Sequence, residues 1–312
     1  MALVISTVIA IAALSALTVS QRGFSTVDAA SQLRDNSRFA IDLLQRIGVQ
    51  SGYRDLNYAA AERALNVVGV DANPFPNVFG VDNATPSASD PANTFIPRTV
   101  GVGFGSDILQ MRYQTTETFP GSGVSDRTTI DCAGVTDNTI STERDNRMTN
   151  IIHVGLSQGE PSLMCTTVNA ALVIGTAQPI VRGVENFQVV YGVDGVVPST
   201  APVPLTTDGI ADRYLRADQL TVPGNPIATN QNWRRVRSIR IGMVMRGSLG
   251  TTQGAVAQTY YPLGQGKDSA SGTKGSAFAL AADVGTEFTP PTDSRLRQVV
   301  TFTIHLRNAQ EL

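Results

Sequence analysis

The sequence predicts an α+β fold in which one long N-terminal α-helix precedes an antiparallel, β-rich domain. Residues 1–20 are apolar and contain no charged residue. A helical pattern of apolar residues continues from there to about residue 50. After residue 95, Thr- and Val-rich segments with alternating apolar positions are typical of short strands joined by turns. The 312 residues suffice for one large domain or two modest ones.

Residues 1–20 are long enough to cross a bilayer. A helix of that length spans about 30 Å, the thickness of the hydrocarbon layer. A cleaved signal peptide is the alternative, but it normally carries basic residues ahead of a shorter apolar core. Here the first basic residue is Arg22, after the apolar run. We therefore expect a retained helix that anchors the chain in a membrane.

The helix is predicted to continue through an amphipathic half, residues 21–52. Its apolar residues recur at spacings of seven, four and three, as on one face of a helix. The residues assigned to this packing face are Leu33, Phe39, Ala40, Leu44 and Ile47. We expect the face to dock onto a β-rich head, residues 53–312, and Gly48 and Gly52 to end the helix.

The head is predicted to be mostly antiparallel sheet. Segments 107–113, 187–191, 237–245 and 299–307 each alternate apolar and polar residues, which predicts strands with one buried face. Five prolines and several small polar residues in 71–99 indicate an irregular surface loop.

Two shorter segments of the head carry weaker signals. An Ala-rich stretch at 57–66 predicts a short helix. The Gly-, Ser- and Lys-containing segment 264–276 predicts a loop between the last two strands.

Two cysteines, Cys132 and Cys165, are present. An even cysteine count in an exported chain indicates a disulfide between them, whereas in the cytoplasm they would be free thiols. Since the N-terminal segment favours export, we expect the disulfide.

Several segments, in order along the chain, resemble the PilW family of type IV pilus minor pilins. The first is LRDNSRFAIDLLQRIGVQSGYRDL, residues 33–56, followed by GSDILQMRY at 105–113. VRGVENFQVVYGVD at 181–194 precedes DGIADRYLRAD at 208–218, and the last two are NWRRVRSIRIGMVMRG at 232–247 and RLRQVVTFTIHLRN at 295–308. The family is similar to the J-type minor pseudopilins of type II secretion. This resemblance implies a structural subunit with a long helix and a β-rich pilin head.

One feature departs from the family pattern. Pilin precursors carry a short basic leader that ends in Gly, and a Glu follows five residues into the mature chain. Here neither is present before Asp28. We expect the sequence to begin inside the helix, about ten residues late relative to that pattern. A variant without the processing site is the alternative.

The acidic residues Asp194, Asp208 and Asp212 form a weak calcium candidate, because related sequences often carry a shorter, acid-rich loop there. Calcium requires six to eight oxygen ligands. The intervening residues 195–207 contain no acid, so a hydrogen-bonded loop is the simpler interpretation. No other cofactor is expected.

Basic and imidazole side chains give no clear sign of a catalytic or nucleic-acid site. Five arginines follow Trp233, the sole tryptophan, but solvated or ion-paired side chains explain them equally well. They are Arg234, Arg235, Arg237, Arg240 and Arg246. His153 and His305 are far apart in sequence, and His305 is predicted to face outward from its strand. We expect neither enzyme activity nor nucleic-acid binding.

These observations lead to one functional prediction and three alternatives. We predict a structural minor pilin that works with other minor pilins and the major pilin in pilus assembly, adhesion or twitching motility. It would lie in the inner membrane with a periplasmic head, and then in the extracellular pilus. The alternatives are a J-like pseudopilin of type II secretion, a pilus-borne adhesin and a membrane-anchored periplasmic enzyme. The adhesin would use the loops at 71–99 and 196–207.

Overall fold

The computed structural model describes residues 2–55, 73, 75–141, 145–203, 208–252, 257–265 and 283–308. The predicted helix at 57–66 and most of the predicted loop at 264–276 lie outside the described residues. In the part that is described, one long helix is followed by antiparallel sheets, so the predicted α+β class is confirmed.

Helix α1, Ala2–Gln50, is continuous over 49 residues, about 74 Å at the normal rise per residue. It has no proline to break it, and its first half is rich in Ala and Leu, which are strong helix formers. Gly52 follows the last turn with a φ of 78°, a conformation that favours glycine and ends helices. Gly48 does not end the helix, contrary to expectation, because it lies inside the last turns.

The first sheet has five antiparallel strands in the order β1-β4-β5-β6-β7. A separate two-stranded hairpin, β2-β3, lies between β1 and β4 in sequence. The bounds are β1 Val78–Val81, β2 Ala84–Pro86, β3 Phe95–Pro97, β4 Ile108–Tyr113, β5 Met148–Ser157, β6 Glu160–Val168 and β7 Gln178–Arg182.

The second sheet has four antiparallel strands in the order β11-β10-β8-β9. Two short helices, α2 and α3, connect β9 to β10. The bounds are β8 Val184–Val193, β9 Arg213–Leu215, α2 Ala217–Leu220, α3 Pro226–Trp233, β10 Val236–Arg246 and β11 Arg297–His305.

The hydrophobic core lies between the two sheets and the second half of α1. Its largest buried side chain, Trp233, has its ring centroid 4.6 Å from that of Tyr191 and 4.9 Å from that of Phe79. The carboxylate of Asp107 connects elements around this core, because it accepts hydrogen bonds from the backbone N–H groups of Asn83 and Val189. The core therefore holds both sheets and the helix together as one head.

Two predictions about the head were wrong in detail. The segment 71–99 is not an irregular loop throughout, because it contains β1, β2 and β3. β1 is held by pairing with β4, 30 residues further on, a non-local contact that local composition does not reveal. β4 and β8 are also buried on both faces, not on one. The polar side chain of Gln110 is accommodated on the second face of β4 because its amide donates to the carbonyl of Ala92.

Candidate assembly surface on the N-terminal helix

The second half of α1 is docked on the head through a single stripe of buried side chains. The stripe consists of Ala29, Leu33, Ser37, Ala40, Leu44 and Ile47, each at most 4% exposed. Their spacings of three and four residues place them on one helix face. The side chain of Ser37 reaches the sulfur of Met245 on β10, 3.4 Å away.

Helix α1 runs alongside β10 and β11 from Ala29 to its C-terminus. A Cβ atom built on Gly247 would lie 3.7 Å from that of Ala29, and one built on Gly48 would lie 2.5 Å from Cγ2 of Ile304. Beyond Gly48, the amide of Asn308 donates to the carbonyl oxygens of residues 49 and 51, 3.0 Å away in each case. The helix therefore follows the direction of β11, and glycines let backbone and side chains approach closely.

Four of the five predicted packing residues, Leu33, Ala40, Leu44 and Ile47, lie in the buried stripe, but Phe39 does not. Phe39 is 54% exposed. Since successive residues are about 100° apart around a helix axis, Phe39 is turned away from the stripe that contains Ala40. The stripe also includes Ala29 and Ser37, which sequence reasoning missed although they continue the same spacing.

The first half of α1 is exposed along the part of the chain that the structure describes. Its large apolar side chains from Leu3 to Val19 are 54–80% exposed, and Phe24 and Val27 are 74% and 70% exposed. An 18-residue stretch of this part of α1 has a mean hydropathy of 2.3, and none of that stretch is buried. It is long and apolar enough to cross a membrane. A large exposed apolar surface of this kind marks a site of interaction with lipid or protein.

Cys132 and Cys165 form a disulfide bond within the head. Cys165 is on β6, and Cys132 lies in the connection between β4 and β5, where its backbone N–H donates to the side chain of Asn150. The two cysteines are 33 residues apart in sequence. Their bond links the connection between β4 and β5 to the first sheet.

A network of three arginines and three carboxylates joins the two sheets near the point where α1 enters the head. Its members are Glu160, Glu185, Arg246, Asp293, Arg295 and Arg297. Arg246 lies 2.8 Å from Glu160 of the first sheet and 2.9 Å from Glu185 of the second. The hydrogen bond from Arg246 holds the pKa of Glu160 below its ordinary value. Sequence inspection missed this network because its members meet only through non-local strand pairing.

The calcium candidates are used as hydrogen-bond acceptors in the loop after β8. Asp194 accepts from the N–H of Gly209 at 2.9 Å, and Asp212 accepts from the N–H of Gly195 at 2.7 Å. Asp208 accepts from the N–H of Ile210, two residues later. Within the described residues, which omit 204–207, no three His, Cys, Asp or Glu side chains converge to hold a metal ion. These contacts are those expected of a hydrogen-bonded loop.

The predicted arginine cluster is engaged within the head. Arg237 pairs with Asp194 at 3.4 Å, and Arg246 belongs to the ion-pair network. Arg235 donates to the carbonyl oxygens of Gly195 and Val203. These contacts match the ion-paired interpretation of the cluster.

The two histidines lie in different environments. His153 is buried on β5, its ring is 3.2 Å from the hydroxyl of Thr166, and burial lowers its pKa to about 4. His305 is exposed on β11, as predicted.

A cleft of about 940 Å3 opens between the loops at 99–104 and 283–291. Its charged lining includes Glu185 and Arg246, which are paired with each other. Apolar residues such as Val102 and Phe288 form much of the remaining wall. Asp283, which also lines the cleft, is paired with Arg216, so at least three of the charged lining groups are held in ion pairs.

The fold and the exposed first half of α1 define the class of protein. As in pilins, a long N-terminal helix is docked along its second half on a β-rich head. The chain belongs to the PilW family, described as type IV pilus-assembly protein W, whose model matches residues 145–308. A solved structure of a type IV-like pilin from Thermus thermophilus is similar at 13% sequence identity and a TM-score of 0.42. That similarity covers 89% of this chain and 98% of the pilin. No curated protein matches the chain.

Proposed function

We propose that this protein is a structural minor pilin whose bare helix half, residues 3–20, anchors it in the inner membrane and then packs among other pilin helices in a filament. The division of α1 supports this proposal most directly, because its second half is buried along a stripe while the large apolar side chains of its first half are exposed. Membership of a pilus-assembly family supports the same role.

The division of α1 has an energetic basis. Burying apolar surface contributes about 25 cal/mol per Å2, so exposed Leu, Ile and Val side chains along five helical turns favour transfer out of water strongly. A membrane provides that environment for a single chain. In a filament, the helices of neighbouring subunits, from other minor pilins or the major pilin, would provide it.

Charge insertion on the bare half tests this proposal. Leu14 is 62% exposed, so Leu14→Lys should leave the head folded while placing a charge in lipid or in the filament interior. Insertion measurements put that cost at about 3 kcal/mol in a membrane. The matched control is Gln32→Lys, on the exposed side of the docked half.

The readouts are the share of the protein found in the membrane fraction and the amount of protein in sheared pili. Leu14→Lys should reduce both, and Gln32→Lys should reduce neither. Equal incorporation of the two variants would overturn the proposal. A defect in protein secretion with normal pili would instead favour the role of a pseudopilin in type II secretion.

A further inference from the structure

The loop after β10 marks the height at which α1 enters the head. Gly247 lies against Ala29, and the hydroxyl of Thr26 donates to the carbonyl of Thr251 at 3.0 Å. The loop therefore runs beside α1 between Ala29 and Thr26, at the end of the head from which the bare helix half leaves. We call this end of the head the base.

The base extends across both sheets, because a continuous row of backbone hydrogen bonds connects their strands at this end of the head. Gly247 donates to Leu296 at 2.8 Å, Arg246 donates to Gly183 at 2.7 Å, and Gly183 donates to Pro161 at 2.7 Å. Pro161 is in turn paired with Leu156 at the end of β5. The turn from β5 to β6 therefore lies at the base together with the loop after β10.

Apolar side chains point into solvent from three separate loops at the base. Leu249, in the loop after β10, is 67% exposed, and Leu156 is 58% exposed. Val100 is 84% exposed in a third loop, which is fixed beside β5 because Arg98 donates to the carbonyl of Val154. Three loops at the same end of the head thus each present an exposed apolar side chain.

The base lies at the height expected of a membrane surface. The apolar run of α1 ends near Val19, seven residues before Thr26, which corresponds to about 10 Å along the helix. The headgroup layer on each side of a bilayer is about 5–8 Å thick. If the apolar run fills the hydrocarbon, the contact between Thr26 and Thr251 lies a few ångströms beyond the headgroups, and the side chain of Leu249 in the same loop is within reach of their outer boundary.

The charge at the base is compatible with this position. The ion-pair network directly behind the exposed leucines contains three arginines and three carboxylates, so its charges cancel. Phe24 and Val27 of α1 are also exposed, just before and at the base. Aromatic and apolar side chains are favoured in the interfacial layer.

We propose that the base of the head rests on the lipid surface before assembly, with Leu249, Leu156 and Val100 against the outer edge of the headgroup layer. This inference rests on the proposed function, because α1 must span the membrane for the base to reach it. Its consequence is a head held in a fixed orientation against the bilayer, and extraction into a filament would then have to break these contacts as well as remove the helix.

The test uses single cysteine labels on the full-length protein. The only two cysteines are joined in the disulfide, so one introduced cysteine is a unique labelling site. An environment-sensitive fluorophore is attached to Leu249→Cys or Val100→Cys, and to Leu172→Cys as the matched control. Leu172 is 80% exposed in the loop beyond the opposite end of β6, and Ala12→Cys reports on the helix itself.

Each protein is reconstituted alone in phosphatidylcholine–phosphatidylglycerol vesicles that contain quenchers at the headgroup or acyl-chain level. Headgroup quenchers should reduce fluorescence at positions 249 and 100 several-fold more than at 172, and acyl-chain quenchers should act at 12. If the fluorophore at position 12 is quenched while those at positions 249 and 100 behave like the one at position 172, this inference fails and the proposed anchoring stands. If 12 is not quenched, both fail. Shielding of 249 only after other pilus subunits are added would also overturn it, in favour of a subunit contact.

Discussion

Gly48 of α1 and Ile304 of β11 are in direct contact, and a Cβ atom on Gly48 would lie 2.5 Å from Cγ2 of Ile304. The side chain of Ile304 is 2% exposed, so it has little room to move. This contact fixes how closely the last turns of the helix approach the second sheet.

Gly48→Ala should therefore lower the free energy of unfolding of the head by about 1–3 kcal/mol, the usual cost of overpacking. Gly23→Ala is the control in the same helix, because nothing lies within 4 Å of a Cβ there. That change should be neutral or stabilising, by up to about 1 kcal/mol, since Ala favours helix over Gly. Denaturant unfolding of both variants in detergent would show the difference, and equal stabilities would contradict the contact.

Leu44→Asp should destabilise the head by several kcal/mol, because it places an unpaired carboxylate at a position that is 0% exposed. Leu44→Met should cost less than about 1.5 kcal/mol, since it conserves volume. The sharper control is Phe39→Asp, which should change stability by less than about 0.5 kcal/mol because Phe39 faces outward. Thermal melts of the three variants test the stripe, and a melt of Phe39→Asp as low as that of Leu44→Asp would disprove its assignment.

Removal of the disulfide through the paired change of Cys132 and Cys165 to Ala should lower the unfolding free energy by about 3–4 kcal/mol. The chain-entropy model gives this size for a loop of 33 residues in sequence separation. Urea denaturation with and without reductant measures it. Reductant should shift the midpoint of the native protein and leave that of the double variant unchanged; no shift in either would contradict the prediction.

Asp82 gives the head a specific pH dependence. Burial, together with the nearby negative charges of Asp218 and Asp283, raises the pKa of Asp82 from 3.8 to about 7. Since the unfolded carboxyl ionises first, the contribution of Asp82 to stability is fully present below about pH 4 and is lost as the pH rises to about 7. Asp82→Asn removes this loss, so its stability relative to the native protein should increase between pH 4 and 7. Parallel pH profiles for the two proteins would contradict the raised pKa.

Local periodicity was sufficient to predict the parts of the fold that depend on near neighbours. The spacing of Leu33, Ala40, Leu44 and Ile47 identified the docked face, and the alternation around Val300 and Ile304 identified β11. Phe39 is hydrophobic but lies off the docked face, because it is about 100° around the helix axis from Ala40. The helical spacing alone is therefore sufficient to exclude Phe39 from the docked face.

Apart from Ala29 and Ser37, the features that sequence did not reveal depend on non-local contacts. β1 exists because Val78 pairs with Met111, and nothing in its own four residues requires a strand. The ion-pair network needs Glu160, Glu185 and Arg246 from three different strands. Gly48 could be interpreted as a helix end from sequence, but its role is set by Ile304, more than 250 residues away.

The central claim is that the bare half of α1 becomes the contact between this subunit and other pilins. Photo-crosslinking from a benzophenone amino acid at position 12, in cells that carry assembled pili, tests it most directly. We expect adducts between position 12 and another pilin in the sheared pilus fraction, and none from position 172. Adducts from position 172 but not from position 12, or no adducts in pili from either position, would contradict it.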